Sequence, residues 1–339
     1  MPNIIADQDR IFADCAHSLA ATGTPLLERL RDSRVLVTGA SGFAGSWLLS
    51  MLCFLNDMHG FRIKVTAVVR YPSRVEAQAS FLAGRSDITW SATDVRQLVG
   101  LPDDVQWVIH AAGVPDSRHH ATSPIDTAST IGEGTFRVLR LAEQATQLQG
   151  ILHLSSGLVD APSTQHRLAG PSMAYVEAKR FSETLCYAFR TQAKLPIVIS
   201  RPFTLLGPFQ SLDSPWAANN FLHAALEGQP LKIRGDGRAV RSYLYGSDMA
   251  LLALAQMAHG ESGEVYDLGG TDPMSVINLA NIVAAQARRP LEVRINAAAR
   301  PTADDHFVPN MRRSFEHLGA KPAFSTEKAV ARSLDWYAR

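Results

Sequence analysis

Residues 35 to 45 read Val-Leu-Val-Thr-Gly-Ala-Ser-Gly-Phe-Ala-Gly, an apolar strand that turns on three evenly spaced glycines into an apolar helix. Few stretches limit a fold so tightly. Gly39 permits the tight turn, Gly42 lets a ligand approach the backbone, and Gly45 lets the helix pack close to the strand. A helix start offers unpaired N–H groups and the positive end of a dipole. The turn Gly39, Ser41, Gly42, Phe43, Ala44, Gly45 therefore suits a pyrophosphate.

The strand and helix pattern repeats downstream. The periodicity predicts a helix from Phe43 to Met58, strands Ile63 to Val69 and Val105 to Ile109, and a helix near Thr127 to Gln147. Then come a strand from Ile151 to Leu154, a helix from Met173 to about Ala193 and a strand from Pro196 to Ser200. Such alternation builds an α/β fold with a doubly wound parallel sheet, a Rossmann domain over residues 34–202. After Arg201 the regularity fades into Pro- and Gly-rich segments, which predicts a smaller C-terminal substrate-binding lobe over 203–339. Segments near 241–270 are expected to return to the first domain. Ahead of Arg34, residues 1–33 read as a helical extension. Two short helices broken at Gly23 and Pro25 fit it, capping an apolar patch and carrying no chemistry.

Composition narrows the partners. The 33 basic and 32 acidic side chains leave a net charge of +1, too little to draw the chain to nucleic acid or an anionic membrane, so a small molecule is the expected partner. Cys15, Cys53 and Cys186 lie far apart in apolar patterns without metal-ligand spacing, which predicts buried thiols in a reducing compartment and no metal site. No export signal or membrane-spanning run is visible, and a cytoplasmic location is expected.

At the end of the second strand an acidic residue ordinarily accepts the ribose 2′-hydroxyl of NAD, but Arg70 stands there with Ser73 and Arg74 behind it. A cation suits a 2′-phosphate, so the reading favours NADP over NAD. Asp94, near the end of the third strand, is a candidate acceptor for the adenine amino group. Tyr175 and Lys179, four apart near a helix start, project from one face. An ammonium beside a phenol favours the phenolate and tunes it for proton exchange. Upstream, the strand Ile151 to Leu154 ends in Ser155 and Ser156, at the carboxyl edge where open α/β sheets bind ligands. Ser156 is placed to hydrogen-bond a reacting oxygen.

The glycine turn, Ser156, the Tyr175 to Lys179 pair and Arg201-Pro202-Phe203-Thr204-Leu205-Leu206-Gly207-Pro208 together resemble the extended short-chain dehydrogenases, the nucleotide-sugar epimerase and dehydratase family, from about Arg34 to Trp336. The resemblance implies that Tyr175 is the acid/base, that Ser156 polarises the reacting oxygen, and that Lys179 grips the nicotinamide ribose. It also implies a cofactor wall of Val95, His110, Ala111, Ala112, Ser155 and Pro202, and a substrate that is a nucleotide-diphosphate sugar. Thr204, Asn219, Asn220 and Ile233 are the expected substrate contacts, with Arg241 and Arg300 as a phosphate clamp. A homodimer is implied too, with Thr135, Leu139, Phe181 and Leu185 as contacts, and a place in surface polysaccharide assembly.

Departures from the family pattern bear on the reaction. Sugar dehydratases follow the catalytic hydroxyl with an acidic pair, whereas Ser156 is followed by Gly157 and Leu158, which carry no proton. Dehydration is disfavoured, and so is a decarboxylation that relies on a glutamate there. Asp160-Ala161, Thr204 and Ile131 also depart from the usual residues. Reversible hydride transfer at a sugar secondary alcohol remains, so an epimerase acting at C4 is the expectation and an NADPH-dependent keto-sugar reductase the alternative. A non-catalytic dinucleotide-binding module would predict a damaged Ser, Tyr or Lys, and all three are intact.

Overall fold

Strands that are apolar at every position need cover on both faces. The computed structural model, which describes residues 4–161, 173–296 and 306–338, shows that cover. β1 (Arg34–Thr38), β2 (Lys64–Val69), β3 (Ile88–Ala92), β4 (Trp107–His110), β5 (Gly150–Leu154) and β6 (Ile197–Pro202) form one parallel sheet in the order β3-β2-β1-β4-β5-β6. The helices up to this point are α1 (Ile4–Ala20), α2 (Phe43–His59), α3 (Ser73–Gln78), α4 (Ser80–Ala83), α5 (Ser117–Thr122), α6 (Pro124–Ala142) and α7 (Met173–Ala193). Val35 and Val37 share a core with Leu48 and Met51 of α2, while Leu36 between them joins Val138 of α6 and Cys186 of α7. That two-residue alternation is the strand period itself, with a helical layer on each side.

Beyond β6 the chain runs through β7 (Thr204–Leu206), α8 (Ala217–Leu226), β8 (Leu231–Arg234), β9 (Val240–Arg241) and β10 (Tyr243–Tyr245). It then returns: α9 (Gly246–His259) packs on α2, and β11 (Val265–Leu268) pairs with β6 as the seventh strand. β12 (Met274–Ser275), α10 (Val276–Gln286), β13 (Val293–Asn296), β14 (His306–Phe307), α11 (Arg312–Leu318) and α12 (Thr326–Tyr337) complete the order. Three small sheets, β7 with β10, β8 with β13, and β9 between β12 and β14, make up the second layer. No helix among the described residues is long and apolar enough to cross a membrane.

β1 pairs with β2 on one side and β4 on the other, so the winding direction reverses there and a crevice opens at the carboxyl ends of β1 and β4. Gly39 turns the chain at that edge with φ +67°, and a Cβ on it would lie 2.5 Å from the Ala111 carbonyl oxygen. A Cβ on Gly45 would lie 2.4 Å from the Gly39 carbonyl oxygen. Any side chain at either position pushes β1, β4 and α2 apart.

The N-terminal extension differs from the two short helices that the sequence suggested. It is one 17-residue α-helix followed by a 3-10 turn over Thr24–Leu30, the break falling at Gly23, whose φ of +79° ends the helical path. α1 lies on α2 and α9, with Ile11, Phe12, Cys15 and Leu19 buried. Its polar residues are engaged as well. Asp14 accepts hydrogen bonds from Tyr245 Oη (2.7 Å) and Arg332 Nε (2.8 Å), and Ser18 Oγ donates to Asp248 (2.6 Å). Replacing Asp14 with Ala leaves a buried phenol and a half-buried guanidinium without their acceptor. The expected loss is about 2–4 kcal/mol, read as a fall in Tm, and a Tm equal to wild type would show the cluster to be inert.

Candidate active site

The crevice opens into a cavity of about 1150 Å³ lined from both layers. That exceeds the ~300–1,000 Å³ common for single small-molecule sites and suits two ligands side by side. At one end lie Gly39, Ser41, Gly42, Phe43, Ala44 and Gly45. A Cβ on Gly42 would meet only the Gly39 carbonyl oxygen, at 3.3 Å, so this glycine keeps a cradle open above the start of α2. Val95, Ala111, Ala112, Gly113 and Pro202 continue the wall, and Arg70 and Arg74 line its outer end. Arg70 approaches Asp126 at 3.8 Å, and both guanidiniums lean on the Tyr71 ring. An elongated anionic dinucleotide fits this set of groups, with its phosphates at the α2 terminus.

At the other end Ser156, Tyr175 and Lys179 come together, all buried. Ser156 Oγ accepts from the Leu158 N–H at 3.2 Å and stands close enough to the Tyr175 phenol to favour its ionised form. Burial pushes the phenol above its ordinary range, and Ser156 pulls it partly back. Lys179 Nζ donates to the Leu154 carbonyl at 2.5 Å and lies 6.0 Å from the Tyr175 ring centre. Burial lowers its pKa from 10.5 to about 8, against the opposing pull of Glu183. Glu183 in turn accepts from Ser155 Oγ and from Arg201 Nε and Nη2, tying the end of β5 to β6 and α7. Thr204, Asn219 and Arg241 line the substrate side, together with Phe203, Trp216, Tyr243 and Phe307.

Four residues proposed for the site are not on the cavity wall. Both carboxylate oxygens of Asp94 are held by Arg96, which keeps Asp94 below the usual carboxylate range, and its neighbours Thr93 and Val95 face the cavity instead. His110 points into the interior, its ring between Thr38 Oγ1 (2.8 Å) and Thr135 Oγ1 (3.0 Å), and burial lowers its pKa to about 3. Asn220 sits on the exposed side of α8, donating to the Trp216 carbonyl, because the neighbouring Asn219 takes the inner face. Ile233 is buried in the apolar core beneath β8. Arg300 lies outside the described residues.

The sequence reading also missed His120 of α5, whose ring stacks on Tyr175 with centroids 4.4 Å apart and planes 12° from parallel. Periodicity gives no sign of it. Thr130 on the cavity wall was missed as well, while Phe203 falls inside a motif that had been noted for other residues.

A glycine turn at the switch point of a parallel sheet, joined to a buried Ser, Tyr and Lys, is the architecture of a nicotinamide-dependent enzyme of the extended short-chain dehydrogenase type. Comparison with known proteins agrees: the model described as "NAD dependent epimerase/dehydratase family" matches residues 35–269, and the chain belongs to that family. UDP-glucuronic acid decarboxylase 1 of Xenopus tropicalis is 25% identical over 313 residues, covering 90% of this chain and 72% of that protein. Among solved structures, WbmF of Bordetella bronchiseptica in complex with NAD+ and UDP superposes with a TM-score of 0.77 at 21% identity, covering 91% of this chain and 93% of that one. UDP-glucuronic acid 4-epimerase from Bacillus cereus, in complex with UDP-glucuronic acid and NAD, gives 0.73 at 22% identity, covering 89% and 98%.

The buried ammonium has a consequence for stability. A lysine whose folded pKa lies below its unfolded value weakens the fold: the penalty is fully present below about pH 8 and is relieved as pH rises towards 10.5. The lowering corresponds to roughly 3 kcal/mol. Relative to a Lys179→Met variant, the wild-type chain should therefore gain stability across that window in paired urea-unfolding curves. Parallel pH slopes would contradict the burial of a charge.

Proposed function

We propose that the chain is a nucleotide-sugar epimerase that inverts a sugar secondary alcohol, at C4, through a keto intermediate. One observation carries the reading. Among the described residues the cavity brings Ser156, Tyr175 and Lys179 together and is lined by no carboxylate. Leu158 and Phe203 stand beside Ser156, and the Phe203 ring packs on Gly157. Elimination of water needs a proton mover besides the tyrosine, and the described wall offers no carboxylate for it, only the imidazole of His306 on the exposed edge at β14. The names of the relatives include decarboxylases, and this apolar wall argues against that chemistry here.

A bound nicotinamide ring supplies a hydride acceptor and donor. The protein's own groups handle the proton and the geometry. Tyr175 exchanges the proton of the reacting hydroxyl, Ser156 hydrogen-bonds the same oxygen, and the Lys179 ammonium favours the phenolate. Thr204, Asn219 and Arg241 hold the nucleotide diphosphate of the sugar, and the cavity has room for the keto sugar to turn. At the ribose end Arg70 and Arg74 both line the cavity, Arg70 also meeting Asp126 at 3.8 Å, and this pair of cations favours NADP over NAD. This observation supports the second reading, an NADPH-dependent keto-sugar reductase.

With UDP-glucose and UDP-glucuronic acid as probes in deuterated water, the expected product is the C4 epimer without solvent deuterium at that carbon. Tyr175→Phe should lose ~10²-fold or more in turnover while keeping its dinucleotide. Release of carbon dioxide from UDP-glucuronic acid would overturn the epimerase reading. Net oxidation of added NADPH by a keto sugar would replace it with the reductase.

A homodimer is part of the proposal, with contacts that differ in part from those first expected. Thr135 and Leu139 are buried within the protomer, Thr135 against His110 and Leu139 in the α6–α7 core, and Leu185 is partly buried against the same core. Phe181, the remaining expected contact, is exposed, and so are Phe136 and Tyr187 on the same two helices. Exposed large apolar side chains on these two helices suit an isologous interface. Phe181→Asp should convert the dimer to a monomer in sedimentation experiments with little change in Tm, and a wild-type protein that sediments as a monomer would remove the proposal.

A further inference from the structure

Tyr175 is the third described residue of α7, and its ring is also met from other elements of the fold. Ser156 meets only its hydroxyl end, and Lys179 lies 6.0 Å from its centre. The contact that covers a face of the ring is His120, stacked at 4.4 Å and 12°.

His120 is itself anchored. Its Nε2 lies 2.7 Å from the Val114 carbonyl oxygen, and only an N–H can satisfy that acceptor, so the proton is on Nε2. Nδ1 is left as a bare acceptor, buried and with no hydrogen-bond partner among the described residues. A phenylalanine would avoid that unsatisfied atom and still stack. What the imidazole adds is the tie to Val114, a residue of the cavity wall that follows β4. The ring plane of His120 is thereby set by the wall, and the ring plane of Tyr175 by His120.

We propose that His120 is a positioning residue, an imidazole clamp that fixes the Tyr175 ring relative to the loop Ala111–Val114 and keeps water from its face. The proposal rests on Tyr175 being the acid/base group. The charged or titratable neighbours of the pair are Lys179 on α7, and His119 and Asp116 beside His120.

The main readout needs no substrate. Tyr175 ionisation is followed by alkaline ultraviolet difference titration, with Tyr175→Phe in the same background as the blank, which removes the other tyrosines. In His120→Ala water reaches the ring face, and the Tyr175 ionisation should fall towards the ordinary phenol value. His120→Phe, which restores the ring but not the bond to Val114, should return the ionisation close to wild type while leaving turnover of UDP-glucose below it, and full turnover in this variant would remove the role of the Val114 tie. His120→Gln, which restores the bond to Val114 without a ring, should not return the ionisation. Unchanged ionisation in Ala and Gln, with Tm retained, would overturn the clamp, as would rescue by Gln but not Phe. If Ala fails to fold, the Phe and Gln pair decides alone. Turnover of UDP-glucose is measured in parallel. A wild-type enzyme that neither turns over nor reduces its bound dinucleotide would count against the function, while the titration still decides the clamp.

Discussion

Everything in the site depends on how closely three backbone segments meet at the reversal of the sheet. Gly39 touches the chain leaving β4 and Gly45 touches Gly39, so β1, β4 and the start of α2 converge with nothing between them. This convergence opens the crevice directly at the helix terminus, where unpaired N–H groups and a dipole end meet a phosphate. It also sets the wall Ala111–Val114 against which the far end of the cavity is built, because that wall is the continuation of the strand Gly39 contacts. One close approach thus positions the phosphate cradle and, through His120, the ring of Tyr175.

The catalytic end is organised by a different force. Lys179 keeps its ammonium in a dry environment that disfavours charge, held by a carbonyl and by the more distant carboxylate of Glu183. Tyr175 lies beside it under the same burial, with its neutral form favoured. Lys179 is thus held away from the charged state it prefers in solution, a local cost in stability that the two apolar cores offset, whereas Tyr175 keeps its solution state. His110 and His153 are stacked neutral beneath this region. They add hydrogen bonds without adding charge beside Lys179, whose Nζ lies 6.0 Å from the Tyr175 ring centre.

The parts of this arrangement readable in sequence are those written into periodicity and glycine spacing. The strand alternation gave the sheet, and the turn gave the phosphate end. The four-residue spacing of Tyr175 and Lys179 brought both to the cavity wall, because one helix carries both. Asp94 and His110 were misplaced because a strand end fixes where a residue lies and not where its side chain points; Arg96 captured one and two threonines the other. Asn220 failed for the opposite reason, since on α8 a single step in sequence turns a side chain by about 100°. His120 was invisible because its contact with Tyr175 joins residues 55 apart through a helix of six, too short to show any period.

The buried cluster around Asp14 ties the two ends of the chain together, with Arg332 reaching Asp14 and Arg10 meeting Asp335. Such a contact closes nearly the whole chain into one loop, and non-local contacts of this kind form late. During synthesis α1 emerges before both α9 and α12. Until α9 is made the apolar face of α1 is uncovered, and until α12 follows Asp14 lacks the guanidinium that completes its shell. α1 is therefore secured long after it is made, and that interval is when this chain most needs protection from aggregation.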